Sequence, residues 1–228
     1  MNVAIRTRPA SKALMVIVGL AAFSAGFVFL DQWFNHLVTA RFPPVGASAW
    51  PATLYGVISR AHLIVPLLAV AVWRPRLLGF RVGRTRRHWR LLLLILVANC
   101  GIVGGYLLLS GSTTPYSGNE WLITEVVTVP LVEETMWRGA VFAVLCAAFG
   151  RLYRDRVATT LAVWSSGLAF GLLHAANALV GVPIAFVAVQ VLNAAVWGVV
   201  YGYARALTGS LYPPIVLHAA MNLVVVLL

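Results

Sequence analysis

Long apolar runs separated by short polar segments dominate the pattern of this chain of 228 residues. A membrane-spanning helix needs about 20 predominantly apolar residues, and runs of this length recur from one end of the sequence to the other. The apolar windows cover residues 13–30, 50–73, 90–109, 121–149, 158–180, 183–204 and 211–228. Because a helix satisfies its own backbone polar groups in lipid, we expect an all-α, polytopic transmembrane helix bundle of about seven spans.

Composition strengthens this prediction. Hydrophobic residues make up 61% of the chain and charged residues 10%, whereas soluble proteins average about 45–50% and about 25%. The sequence therefore indicates an integral membrane protein with lipid as its surroundings. Cys100 and Cys146 both lie in apolar runs, and they show neither a disulfide framework nor a metal-binding spacing.

The net charge of +11 is concentrated beside the apolar runs. Seven arginines fall within residues 74–90 and three within 151–156, while Arg6, Arg8 and Lys12 precede the first run. Cytoplasmic loops of membrane proteins carry such an excess of basic residues, so the pattern signals topology rather than nucleic-acid binding. We expect a multi-pass protein of the cell membrane with a cytoplasmic N-terminus and no nucleic-acid partner.

A charged cluster interrupts the apolar run of residues 121–149. The chain has only six acidic residues, and two of them, Glu133 and Glu134, lie here with Arg138. Charges within a membrane segment are costly and mark functional sites. The spacing of four predicts an ion pair between Glu134 and Arg138, which leaves Glu133 as an unpaired candidate base. A purely structural role, with both glutamates tying helices together, is the alternative. Pro130 predicts a kink or break just before the cluster.

Two further pairs of residues share a helix face at the same spacing. His174 follows Phe170 by four residues, and Asn222 follows His218 by four on the last apolar run. A lone histidine in an apolar helix is more often a satisfied core residue. Bundles, however, build sites by projecting polar groups inward from facing helices, so together these residues predict a buried site.

Three segments in this region carry recognisable motifs. They read EETMWR from Glu133, FGLLH from Phe170 and HAAMN from His218, and they match EExxxR, FxxxH and HxxxN. In this order they resemble the CPBP intramembrane proteases, which include the CAAX prenyl endopeptidase related to the Ras-converting enzyme and bacterial members linked to bacteriocin immunity. The resemblance implies two parts, N-terminal spans one to three in residues 1–119 and a catalytic helix bundle in residues 120–228.

The resemblance also implies roles for individual residues. Glu133 and His174 would activate a water molecule for attack on a peptide carbonyl, and Glu134 and Arg138 would hold that arrangement. The substrate would be a membrane-anchored protein or peptide.

His218 and Asn222 would donate hydrogen bonds to the oxyanion that forms on that carbonyl. Zinc stays open as a cofactor, since Glu133, His174 and His218, with Glu134, are also possible metal ligands. The sequence has no HExxH motif, which favours glutamate-activated water over a zinc metalloprotease.

Functions from other classes remain open at this stage. The same polar residues suit a non-catalytic binder, a proton-coupled or ion-coupled carrier, or a bacteriocin-immunity factor. Asn222 beside an unpaired Glu133 favours amide hydrolysis, because a proton relay needs no oxyanion donor.

Other polar residues lie within the predicted spans. We expect Arg60 to face a cavity or to reach a membrane interface, with function and anchoring equally open. Asn177, Gln190 and Asn193 are expected to form hydrogen bonds between helices.

Overall fold

The computed structural model describes residues 9–41, 49–111, 118 and 121–228, with the side chains of residues 49–52 excepted. Throughout these residues the fold is all-helical, and they contain no β-strand. The α-helices are α1 (Pro9–Arg41), α2 (Ala49–Ser59), α3 (Ala61–Trp73), α4 (Pro75–Leu78), α5 (Trp89–Ser110), α6 (Val129–Glu134), α7 (Phe142–Gly150), α8 (Asp155–Leu173), α9 (Ile184–Thr208) and α10 (Tyr212–Leu227). Between them lie 3₁₀-helices at Thr85–His88 and His174–Val180 and π-helices at Thr124–Thr128 and Thr135–Val141.

Four helical segments are long and apolar enough to cross a membrane. They are Pro9–Arg41, Thr85–Ser110, Asp155–Val180 and Ile184–Thr208. A fifth candidate is the pair α2 and α3, which is bent by 68°. The described residues therefore form a membrane protein with four or five candidate spans, and the predicted count of about seven is not confirmed.

The predicted span of residues 50–73 is divided into two helices at Arg60. Arg60 precedes the first residue of α3 and lies outside both helices. The Ser59 hydroxyl donates to the carbonyl of Gly56 at 3.2 Å, so a side chain takes over one of the acceptors at the end of α2. Pro66 lies inside α3, away from this bend.

Of the kink or break predicted at Pro130, the break does not occur, because the helical segment continues through this residue. Residues 121–150 stay helical, with π-helices on both sides of α6. Pro130 lies in the first turn of α6, directly after the π-helix Thr124–Thr128. In a π-turn each N–H bonds to the carbonyl five residues earlier instead of four. This local change of hydrogen-bond register accommodates a proline, which has no N–H.

Close helix contacts hold α8 against α9. A Cβ atom built on Gly167 would lie 2.7 Å from the backbone nitrogen of Val199, and one built on Gly171 would lie 2.5 Å from Cβ of Ala195. Small residues permit such backbone approach between helices in lipid. These contacts fix the end of α8, where His174 begins the 3₁₀-helix.

Parts of the predicted organisation lie outside the described residues. These are Arg6 and Arg8, which contribute to the predicted orientation, and the boundary between residues 119 and 120. The cytoplasmic location of the N-terminus stays a prediction.

Candidate active site

The site contains a buried ion pair between Glu134 and Arg138. Arg138 Nη1 donates to Glu134 Oε1 at 3.0 Å, and both side chains are fully buried. The predicted pair at a spacing of four is confirmed as a contact. The Arg138 guanidinium also lies over the ring of Phe170, with Cζ 4.2 Å from the ring centroid. This cation–π contact gives the buried charge a second favourable partner.

The same carboxylate oxygen binds a histidine from the last helix. His218 Nδ1 donates to Glu134 Oε1 at 2.8 Å, which joins α6 to α10. Because Nδ1 is held by the carboxylate, the orientation of the imidazole is fixed and Nε2 is the nitrogen left for other partners. The sequence placed Glu134 and His218 in one site but did not predict this hydrogen bond.

His174 is held by the residue that begins its motif. Its Nδ1 donates to the backbone carbonyl of Phe170 at 2.9 Å, a bond that requires the spacing of four residues. The Phe170 ring contacts both histidines, with centroid distances of 4.9 Å to His174 and 6.3 Å to His218. Phe170 therefore packs against both imidazoles and against Arg138. The FxxxH spacing was the sequence feature that could have indicated these contacts, although no role was predicted for Phe170.

Glu133 differs from its neighbour in both contacts and location. It makes no hydrogen bond or ion pair with any residue that the structure describes. It lines a cavity of about 1180 Å³ that is also lined by His174, His218 and Asn222. Glu134 lies behind the cavity wall and is fully buried. The two glutamates therefore have separate environments, one facing the cavity and one inside the protein.

Asn222 satisfies a backbone carbonyl that Pro130 leaves without a donor. In the π-helix, Val129 N–H bonds to the carbonyl of Thr124, so the carbonyl of Glu125 would next require an N–H at position 130. Proline has none. Asn222 Nδ2 donates to the Glu125 carbonyl at 2.8 Å instead. One of the two amide hydrogens of Asn222 is thus committed, and the other remains available to the cavity.

Neighbouring polar residues fix α9 and α10 around these groups. Asn99 Nδ2 donates both to the hydroxyl of Tyr201 and to the carbonyl of Leu217, and the Tyr201 ring centroid lies 6.1 Å from that of His218. Arg205 Nε donates to the carbonyl of Arg138 at 3.2 Å. Asn99, Tyr201 and Arg205 were missed by the sequence analysis, because their partners are distant in the chain.

Two expected contacts between helices can be checked directly. Asn177 Nδ2 donates to Gln190 Oε1 at 2.7 Å, which confirms a hydrogen bond between helices for both residues. Asn193 lies 3.6 Å from the sulfur of Met221 and lines the cavity.

The described side chains do not assemble a metal-ligand set. No three histidine, cysteine, aspartate or glutamate residues among them lie close enough together to hold a metal ion. His218 Nδ1 donates to Glu134 and His174 Nδ1 donates to the Phe170 carbonyl, which leaves Nε2 of each ring open to another partner. Glu133, His174 and His218 line the same cavity without forming such a group, and zinc binding by them stays a prediction.

Comparison with known proteins finds one similarity, in the C-terminal part of the chain. Residues 119–224 match the family model of the type II CAAX prenyl endopeptidases, Rce1-like. Searches of curated proteins and of solved structures found no match. The matched range contains all three motifs, from Glu133 to Asn222. Through this range, which is just under half of the chain, the sequence is similar to the Rce1-like type II CAAX prenyl endopeptidases.

Proposed function

We propose that this protein is an intramembrane endopeptidase that hydrolyses a peptide bond of a membrane-anchored protein or peptide. The observation that carries the proposal is the unpaired Glu133, which faces the same cavity as His174, His218 and Asn222. The family match supports a CAAX-type protease. It gives no support to a carrier, a non-catalytic binder or an immunity factor.

Glu133 and His174 activate the attacking water in this proposal. The Glu133 carboxylate removes a proton from water, and the water oxygen bonds to the carbonyl carbon of the substrate. His174 donates through Nδ1 to Phe170, so its neutral ring presents the Nε2 lone pair to orient the same water. When the carbon–nitrogen bond breaks, the proton held by Glu133 passes to the leaving nitrogen.

His218 and Asn222 stabilise the oxyanion. A protonated His218 keeps Nδ1–H on Glu134 and offers Nε2–H to the cavity. Asn222 offers the amide hydrogen that is not bound to the Glu125 carbonyl. Loss of one oxyanion donor in hydrolases costs about 2.7–4 kcal/mol of transition-state stabilisation. Glu134 and Arg138 act through His218, because neither lines the cavity.

The arrangement in the membrane follows from the same proposal. The helical segment of residues 121–150 and α10 cross the bilayer together with the five candidate spans, which gives seven crossings and a cytoplasmic N-terminus. The cavity then opens to a substrate that is held in the membrane by its own anchor.

The test is cleavage of a membrane-anchored peptide by purified protein in vesicles. Glu133→Gln and His174→Ala should each lower turnover by about 10²–10⁴, the usual contribution of general acid–base catalysis. Asp155→Asn is the matched control, since this exposed carboxylate lies at the start of α8 and outside the cavity. Unchanged cleavage by Glu133→Gln would refute the proposed role of this site. Loss of activity with a chelator and recovery with zinc would replace glutamate-activated water by a metal mechanism.

A further inference from the structure

The arginine-rich loop of residues 74–90 folds back against the end of α9. The backbone N–H of Leu211 donates to the carbonyl of Gly79 at 2.8 Å. In the opposite direction, Arg81 Nε donates to the carbonyl of Gly209 at 2.8 Å. These bonds fix the loop at the last turn of α9 and give the Arg81 side chain a defined position there.

Arg205, in the last turn of α9, is a buried cation without a counter-charge. It is 7% exposed, and no ion pair involves it among the described residues. Nε donates to the carbonyl of Arg138 at 3.2 Å, while Nη1 and Nη2 have no hydrogen-bond partner among those residues. The Phe142 ring centroid, 5.7 Å from Cζ, adds a cation–π contact but no negative charge. Neither Nη atom is fully enclosed, so both can reach a ligand at the surface.

Two glycines bring Arg81 and Arg205 to one junction. Gly79 and Gly209 both have positive φ, 90° and 69°. A Cβ atom built on Gly79 would overlap the guanidinium of Arg205, and one built on Gly209 would lie 3.2 Å from Nη2 of Arg81. Because glycine has no Cβ, each guanidinium packs directly against the turn of the other segment. The positive charges of the two groups are close enough to repel each other.

The segments that meet at this junction supply positive charge alone. Residues 74–90 and 205–212 together contain eight arginines and no aspartate or glutamate. A bound anion would compensate both Arg81 and Arg205 and would remove their mutual repulsion. The guanidinium fork matches the oxygens of a phosphate group in two parallel hydrogen bonds. The junction therefore has the charge and the free donors of an anion-binding site.

The location of the junction favours a lipid head group as the source of the anion. The candidate membrane span Ile184–Thr208 ends here, so its last turn lies at the depth of the head groups. Leu207 and Tyr212 are exposed at this end, and the Tyr212 ring meets Phe80 edge to face at 6.1 Å between centroids. Tyrosine is enriched at membrane interfaces. Basic pockets between membrane helices on the cytoplasmic side bind lipid head groups, and the positive-inside rule predicts that residues 74–90 are cytoplasmic.

We propose that Arg81 and Arg205 form a binding site for the phosphate group of an anionic phospholipid. The free Nη atoms of Arg205 bind the phosphate from the protein side, and the exposed Arg81 binds it from the surface. Neither arginine lines the cavity that contains Glu133, so this site is separate from the candidate active site. It does not depend on the proposed hydrolysis.

Binding is measured by native mass spectrometry of the purified full-length protein, titrated in a neutral detergent. The probes are phosphatidylglycerol, diacylglycerol with the same acyl chains, and inorganic phosphate as a competitor. Arg81→Gln, Arg205→Gln and Arg205→Lys are compared with Arg86→Gln. This control removes an exposed arginine of the same loop and therefore changes the net charge by the same amount. Thermal unfolding in the same detergent shows which variants are folded.

Phosphatidylglycerol should bind the parent protein roughly tenfold or more tightly than diacylglycerol, because charge-assisted hydrogen bonds hold its phosphate. Arg81→Gln and Arg205→Gln should each weaken phosphatidylglycerol binding roughly tenfold and leave diacylglycerol binding unchanged. Arg205→Lys should weaken it less, because lysine keeps the charge but lacks the fork. Arg86→Gln should have no effect, and inorganic phosphate at the same concentration should not displace the lipid.

Equal losses in Arg81→Gln and Arg86→Gln would overturn the proposal by showing attraction to the overall positive charge of the loop. Equal binding of phosphatidylglycerol and diacylglycerol would also overturn it. Displacement of the lipid by an equal concentration of inorganic phosphate would assign the site to a soluble anion and overturn the assignment to a lipid. If Arg205→Gln does not fold, Arg81→Gln decides the matter by the same comparison, because Arg81 is exposed.

Discussion

At the residue scale, Glu133 and Glu134 are adjacent carboxylates whose different contacts give them different roles. Glu134 accepts hydrogen bonds from Arg138 and His218 on one oxygen, and it is fully buried. Glu133 faces the cavity without a hydrogen-bond partner among the described residues. Glu134 therefore contributes to stability and orientation, while Glu133 is free for chemistry in the proposed mechanism.

Removing the Arg138 guanidinium should lower the stability of the fold far more than neutralising the Glu133 carboxylate. Arg138→Ala removes one of the two partners of the buried Glu134 carboxylate and leaves it with His218 alone among the described residues, which should lower the free energy of unfolding by about 3–5 kcal/mol. Glu133→Gln should remain within about 0.5 kcal/mol of the parent, as expected for a substitution that breaks no buried contact. Thermal and denaturant unfolding in detergent measures both. Equal destabilisation by the two changes would contradict the assignment of Glu133 as the unpaired group.

Asn222→Ala should affect both catalysis and stability. Loss of an oxyanion donor should reduce kcat by about 10²–10³ while KM changes little. The Glu125 carbonyl also loses its donor, which should cost about 1–3 kcal/mol of stability. Asn193→Ala is the matched control, because Asn193 lines the same cavity and its one side-chain hydrogen bond within the described residues is to the sulfur of Met221. Similar kinetics for the two variants would exclude the proposed oxyanion role of Asn222.

Local spacing and long-range contacts differ in how far the sequence predicts them. The bond from Arg138 to Glu134 follows from helical geometry, because residues four apart share a face. The bonds from His218 to Glu134 and from Asn222 to Glu125 join helices that are far apart in the chain. Periodicity fixes the face of a side chain but not the partner that a neighbouring helix presents. The motifs predicted which residues matter, and tertiary packing determined how they bond.

At the scale of helical elements, π-turns take the place of the break that Pro130 predicted. The register change in Thr124–Thr128 directs the Glu125 carbonyl toward position 130, where no N–H exists. That carbonyl then serves as the acceptor that orients Asn222. Pro130 predicted an irregularity in this helical segment but not its form, since kinks, breaks and π-turns share this signal. π-turns inside helices are frequent at functional sites.

Pro130→Ala tests this coupling. The change restores an N–H that can bond to the Glu125 carbonyl. This N–H then competes with the Asn222 amide for the same acceptor. We expect the thermal unfolding temperature to stay equal or rise, because alanine favours a helix interior by about 3 kcal/mol over proline. Turnover should fall because the Asn222 amide is no longer fixed. Full activity together with unchanged or higher stability would contradict the proposed role of the π-turn.

At the scale of the whole molecule, residues from different parts of the chain line the same cavity. Residues 119–224 match the endopeptidase family, while Arg60 reaches the same cavity from α2 and α3. Hydropathy predicted the apolar segments in both parts and therefore the helical class of the fold. It did not predict the 68° bend at Arg60, because a bend leaves the average apolarity of a segment unchanged.

The segment of residues 121–150 decides the topology, and its crossing can be tested at two basic loops. With α1, the bent pair and α5 each crossing once, the arginine-rich loops of residues 74–90 and 151–156 lie on the same side only if this segment also crosses. The positive-inside rule predicts that both are cytoplasmic. Thr85→Cys and Arg154→Cys, made separately with Cys100 and Cys146 replaced by alanine, should resist a membrane-impermeant thiol reagent in intact cells and react after permeabilisation. Labelling of position 154 alone in intact cells would show that residues 121–150 do not cross, whereas labelling of both positions would reverse the predicted orientation.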